Sequence, residues 1–119
     1  MVTISTAKDI SLDDVTGLYG SGEHPIYKDF EQLHHNILNS DVCVTARLSD
    51  DLVGIIRSNG DGNNNQYISE IIMHADQPSQ GIGSKLLDTY LLETNRVSKI
   101  YIVSHEYFRS SFSKTWLHY

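Results

Sequence analysis

Only one of the 119 residues, Cys43, is a cysteine. A single thiol forms no internal disulfide and builds no zinc site from several thiolates, so the expectation is a reducing, cytoplasmic setting. Prolines are also few, Pro25 and Pro78, and no low-complexity linker divides the chain. No apolar run approaches the ~20 residues of a membrane-spanning helix, and the N-terminus lacks a basic segment followed by an apolar one, so no membrane association is expected. Positive charge is scarce: 9 Lys and Arg face 15 Asp and Glu, a formal net charge of −6, and no basic run occurs. A phosphate array such as nucleic acid or an acidic membrane would stay unneutralised, which argues against either as partner. Metal ligands at useful spacing are missing too. His34 and His35 are adjacent and cannot share one helix face, and Asn59–Asn65 lacks the acidic spacing and distant Glu of a calcium loop.

What remains is an ordinary globular composition, 39% hydrophobic and 20% charged, of a length that supports one domain spanning 1–119. Val2–Ser5 is short and β-branched and reads as a strand. Ser11 followed by Asp13 and Asp14 marks a helix start, which the glycines at 17, 20 and 22 bring to an end. Residues 27–39 carry Phe30, Leu33, Ile37 and Leu38 on one helical face. Val42 to Leu48 alternates, Ser49-Asp50-Asp51 turns, and Leu52 to Arg57 returns, with Gly54 marking a bulge or a close backbone approach. After the loop of Asn59–Asn65 come a strand over 66–74, a helix with Ile82, Leu86, Leu87, Tyr90 and Leu91 on one stripe, and a strand over 99–104. Phe108, Phe112 and Trp116 at fourfold spacing predict a last short helix. The fold class is therefore mixed α/β (α+β), an antiparallel meander running into one parallel β-α-β unit.

The most informative stretch runs from Glu70 to Leu87. An apolar strand, Glu70-Ile71-Ile72-Met73-His74, leads through a polar loop into Gln80-Gly81-Ile82-Gly83-Ser84-Lys85-Leu86-Leu87. The first N–H groups of such a helix have no partners within it and point outward with the positive end of the dipole, which suits a phosphate or pyrophosphate. Gly81 and Gly83 lack a Cβ, so a ligand can approach the main chain.

This order of elements, with Leu52-Val53-Gly54-Ile55-Ile56-Arg57, Tyr67-Ile68-Ser69-Glu70-Ile71 and the Gly-x-Gly turn, resembles the GNAT superfamily of N-acetyltransferases. The resemblance runs from the first strand to about Ser104. It implies acetyl-CoA as cosubstrate, no metal, and direct transfer of the acetyl group to a primary amine on a small molecule or peptide. It implies a cofactor site formed by Ile72, Met73 and His74 on the strand and Ser79, Gln80, Gly81, Ile82, Gly83, Ser84 and Lys85 at the helix start, with N–H groups near Ile72 polarising the thioester carbonyl. Glu70 takes the place of the base. Ser113 stands where the family commonly has a tyrosine acid, and Tyr107 or Tyr119 is the substitute. Tyr19, His24, Tyr27 and Arg57 are the acceptor-lining candidates. Two departures stand out: Pro78 where the family has Gln or Arg, and an ending without the usual last two strands. The second leaves the edge at Lys99–Ser104 open to a second copy, so a homodimer is expected. The rival reading is a non-catalytic CoA-binding interaction protein of the same fold.

Overall fold

The computed structural model describes residues 2–21, 29–61, 64–76 and 79–102. Its elements run β1 (Val2–Ser5), α1 (Leu12–Tyr19), α2 (Phe30–Leu38), β2 (Val42–Leu48), β3 (Asp51–Gly60), β4 (Asn65–Met73), α3 (Ser79–Glu93) and β5 (Lys99–Ile102). The strands form one sheet in chain order, β1-β2-β3-β4-β5. The first four are antiparallel, and β5 joins β4 in parallel after the α3 crossover. The meander and the β-α-β unit are those expected from the residue pattern. The segment proposed as a last helix, together with 103–104 of the last strand, lies outside the described residues.

Local chemistry explains the helix ends. Ser11 Oγ accepts from the Asp14 N–H at 3.0 Å while Asp14 Oδ2 accepts from the Ser11 N–H at 2.9 Å, a reciprocal cap that starts α1. Gly17 does not stop this helix, which continues to Tyr19 with Gly20 at its C-cap. Asp29 caps α2 through the Gln32 N–H at 3.0 Å, so that helix begins at Phe30 rather than at residue 27.

The sheet separates two cores. On one face α1 and α2 cover Tyr19, Leu33, Ile37, Cys43, Ile55 and Ile72. On the other, α3 lays Ile82, Leu86 and Tyr90 over Val44, Ala46, Val53, Ile56, Ile68 and Ile71. Gly54 lets α3 come close: a Cβ there would lie 2.9 Å from Leu86 Cδ1 and 3.1 Å from Ile82 Cγ2. The same strand also bulges. Ala46 pairs with Gly54 and Arg47 with Leu52, so Val53 is the extra residue. Both alternatives for Gly54, bulge and close approach, thus meet at one place.

A second bulge lies in β4. Arg57 pairs with Glu70 but Ser58 pairs with Ile68, which leaves Ser69 unopposed. Ile68 and Ile71 consequently both face α3, while Glu70 and Ile72 face α1 and α2. Strict alternation would have put Glu70 on the α3 side with Ile68.

Candidate active site

The site is built where β4 ends and α3 begins. α3 starts at Ser79, so the N–H groups of Ser79 through Ile82 form its unsatisfied first turn, and no acidic side chain lies there to compete for them. Gly81 is exposed, and a Cβ added to it would meet nothing within 4 Å. Its missing side chain is therefore not a demand of packing. It leaves the helix start bare, as a cradle for an anion requires. Gly83 is buried and Ile82 packs beneath the sheet, while Ser84 and Lys85 are exposed on the solvent side of the turn. Ser79 and Gln80 lie in that first turn. Pro78 and Gln77 lie outside the described residues.

β4 supplies the second wall. The His74 N–H donates to Val53 O at 2.9 Å, which directs that residue's peptide groups toward β3. Direction alternates along an antiparallel strand, so the N–H of Ile72 also faces β3, and those of Ile71 and Met73 face the opposite edge. There β5 pairs only with Asn65–Ile68 among the described residues, leaving the stretch past the bulge without a described neighbour strand. The donors expected near Ile72 are thus those of its two neighbours: its own N–H is committed to the sheet, and the outward ones belong to Ile71 and Met73. The interruption of alternation at Ser69-Glu70, with three apolar residues in a row after it, was the signal in the sequence.

Glu70, expected as the base, and Arg57 and Tyr19, both expected to line the acceptor site, form one buried cluster. Arg57 Nε donates to Glu70 Oε1 at 2.5 Å and Arg57 Nη2 to Oε2 at 3.0 Å, and Tyr19 Oη donates to Oε1 at 2.9 Å. Glu70 is 7%, Arg57 8% and Tyr19 1% exposed. The fork-to-carboxylate geometry is the strong, directional form of ion pair, and burial screens it little from solvent competition. Arg57 Nη1 also reaches Ser40 Oγ at 3.2 Å, and Lys8 Nζ donates to the Ser40 carbonyl. Ser40, which the sequence did not single out, therefore ties the cluster to the end of α2. Cys43 pairs with Arg57 across β2 and β3, and burial pushes its thiol up to about 11, so it is protonated and unreactive at neutral pH.

The remaining candidates are dispersed. His74 is half-buried and its Nδ1 accepts from the Asp76 N–H at 3.1 Å. It borders an open cleft of about 340 Å³ with Asp13, Asp14, Asp51 and Asp76. His24, Tyr27, Tyr107 and Ser113 lie outside the described residues. No group of three or more His, Cys, Asp or Glu side chains among the described residues is arranged to hold a metal.

Solved structures similar to this one include acetyltransferases. A GNAT-family acetyltransferase from Streptococcus pneumoniae is similar at 28% identity and a TM-score of 0.76, over 95% of this chain and 88% of that one. A probable acetyltransferase from meticillin-resistant Staphylococcus aureus gives 22% identity and 0.76, over 97% and 92%. An aminoglycoside 6'-N-acetyltransferase complexed with coenzyme A gives 20% identity and 0.73, over 84% of this chain and 60% of that one. No protein of curated function matches by sequence. The sequence itself matches the Acetyltransferase (GNAT) family over residues 8–109. The chain belongs to the GNAT family of acetyltransferases.

Proposed function

We propose that this protein transfers the acetyl group of acetyl-CoA to a primary amine, on a small molecule or an exposed peptide amine. The observation that carries the reading is the bare first turn of α3 at Gly81 beside the outward peptide edge of β4 at Ile71 and Met73. An elongated ligand with an anionic middle and an amide-bearing arm fits that pair of walls. Coenzyme A bound to a structural neighbour supports the choice, as does the family's activity.

When bound, acetyl-CoA supplies an activated thioester. The N–H groups from Ser79 to Ser84 would hold its pyrophosphate, with Gly81 leaving room for approach. Those of Ile71 and Met73 would pair with the pantetheine arm and stabilise negative charge developing on the thioester oxygen. The acceptor would enter from the α1 and α2 side, the side of Glu70 and Tyr19. Tyr107 and Ser113 are the sequence candidates for protonating the departing thiolate. The phenol is the better of the two, since an aliphatic hydroxyl is a far weaker acid. A second copy of the chain against β5 belongs to the same proposal. Sedimentation at micromolar concentration should show a dimer, and monomer alone removes that part.

The test is calorimetric titration with acetyl-CoA, followed by thiol release over a panel of primary amines, aminoglycosides included. Saturable binding and amine-dependent release are expected; no binding at millimolar acetyl-CoA refutes the reading. The engagement of both Glu70 oxygens favours one rival, a CoA-binding protein without turnover. Binding with no release across the panel would decide for it.

A further inference from the structure

We propose that Glu70 is a positioning residue and not the base. With Arg57 it locks the register of β4 just past the Ser69 bulge, and so aims the Ile71 and Met73 N–H groups at the edge away from β3. This rests on the acetyl-transfer reading above, and deepens it by assigning where the amine's proton goes.

Past the bulge β4 reads Ile71-Ile72-Met73, and either isoleucine could serve the α3 core. Apolar pattern alone therefore sets no register there, and a strand so placed is free to slip by one residue. Glu70 is the residue that discriminates. In the observed register it pairs across the sheet with Arg57 and meets both guanidinium donors. Slipped by one, its carboxylate would enter the α3 core beside Ile56, Ile68 and Leu86, a buried charge with no counterpart. The slip would also exchange the peptide groups facing outward, turning Ile72 to the edge and Ile71 and Met73 to β3. The ion pair is thus what distinguishes an edge that presents the observed donors from one that does not.

The same contacts make Glu70 unsuited to take a proton. Its Oε1 already accepts from Arg57 and Tyr19 and its Oε2 from Arg57, and the group is buried. The charged and titratable groups facing it include Arg57 on β3, Tyr19 on α1 and Cys43 on β2. Transfer then uses the amine as free base. Its nitrogen forms the bond to the acetyl carbon, the carbon–sulfur bond breaks, the proton on the new amide nitrogen passes to water, and the thiolate takes a proton from solvent or from the tyrosine candidate.

The discriminating variants are Glu70→Met and the charge exchange, the double substitution Arg57→Glu with Glu70→Arg. Removing one partner strands a buried charge and leaves the register unset, whereas the exchange keeps a buried ion pair between the same two positions with no carboxylate at 70. Glu70→Met should lower kcat/KM by at least about thirtyfold, and the double variant should recover to within about fivefold of the parent. Backbone amide exchange at Ile71 and Met73 follows the same order without any acceptor: altered in Glu70→Met, restored in the double variant. In the parent, the acid limb of the pH–kcat/KM profile should move with the pKa of the amine when two acceptors are compared. A double variant that binds acetyl-CoA yet is as inactive as Glu70→Met overturns the proposal. So does an acid limb that is independent of the amine and lost in Glu70→Gln. If the double variant fails to fold, Arg57→Lys replaces it: reduced kcat with an unmoved acid limb is expected, and a moved limb counts against the idea. Absence of acetyl-CoA binding by the parent is a failure of the acetyl-transfer reading, and the exchange experiment still decides the register role.

Discussion

At the scale of single residues, the chemistry of Asp14 is the easiest to test. It closes the cap of α1 and receives both Nη atoms of Arg47, at 3.2 and 2.9 Å. The Arg47 guanidinium first, and the Ser11 contacts after it, hold its carboxyl down at about 2, against 3.8 for the free group. A depressed folded value means that the stabilisation is complete above pH 3.8 and is lost as pH falls through about 2. Asp14→Asn should cost roughly 0.5–1 kcal/mol at neutral pH, the range of a partly exposed pair plus a cap. The gap between parent and variant in urea unfolding should shrink as the pH is lowered through that window; a gap that stays constant down to acid pH would show that the ion pair is not its source. Residue-scale features of this kind were partly legible. Ser11 announced its helix, because capping is a local matter of a few bonds. The Arg47 partnership was not, since it joins residues 33 apart in sequence through the folding of the sheet.

At the scale of elements, two glycines that look alike in sequence do opposite things. Gly54 is demanded by packing. Gly54→Leu would push α3 from the sheet at Leu86 and Ile82, with an expected loss of roughly 2–3 kcal/mol or more of stability. An unchanged thermal midpoint would contradict the close approach. Gly81 is demanded by nothing in the fold. Gly81→Glu should leave the protein as stable or more so, by up to about 1 kcal/mol, because a helical glycine is replaced by a better helix former whose charge complements the dipole. The same carboxylate would repel a pyrophosphate, so acetyl-CoA affinity should fall at least about tenfold. The opposed signs make the measurement decisive: stability and affinity falling together would indicate a packing role for Gly81 and no anion cradle. Sequence reading found this turn and its strand, since period, glycines and helix start coincide there. It set the donors on β4 no more closely than near Ile72, because the bulge at Ser69 depends on pairing with β3 and leaves only a break in alternation as its trace. Nor did it join Glu70, read as a base, to Arg57 and Tyr19, read as acceptor-lining, because their contact depends on a cross-strand pair and a helix laid over it.

For the molecule as a whole, the sheet with a helical layer on each face places the proposed ligand across the junction of β4 and α3. That junction joins the two cores: Ile72 on β4 packs with α1 and α2, while Ile71 beside it packs with α3. A ligand held by α3 and β4 together should therefore stabilise the entire domain, not one helix. Binding to the folded state alone adds about 2.7 kcal/mol at a free ligand concentration of 100 Kd. With an unfolding entropy near 2.1 cal/mol/K per residue, this raises the midpoint by roughly 10 °C for a chain of this size. Thermal denaturation should accordingly stay a single transition and move upward as acetyl-CoA is raised, with the shift growing logarithmically once the site is filled. The shift should be largely absent in Gly81→Glu, whose fold is intact but whose cradle is blocked. An upward shift of equal size in that variant would place acetyl-CoA somewhere other than the start of α3, and a transition that splits in two would mean that the cores on the two faces of the sheet unfold independently of the bound ligand.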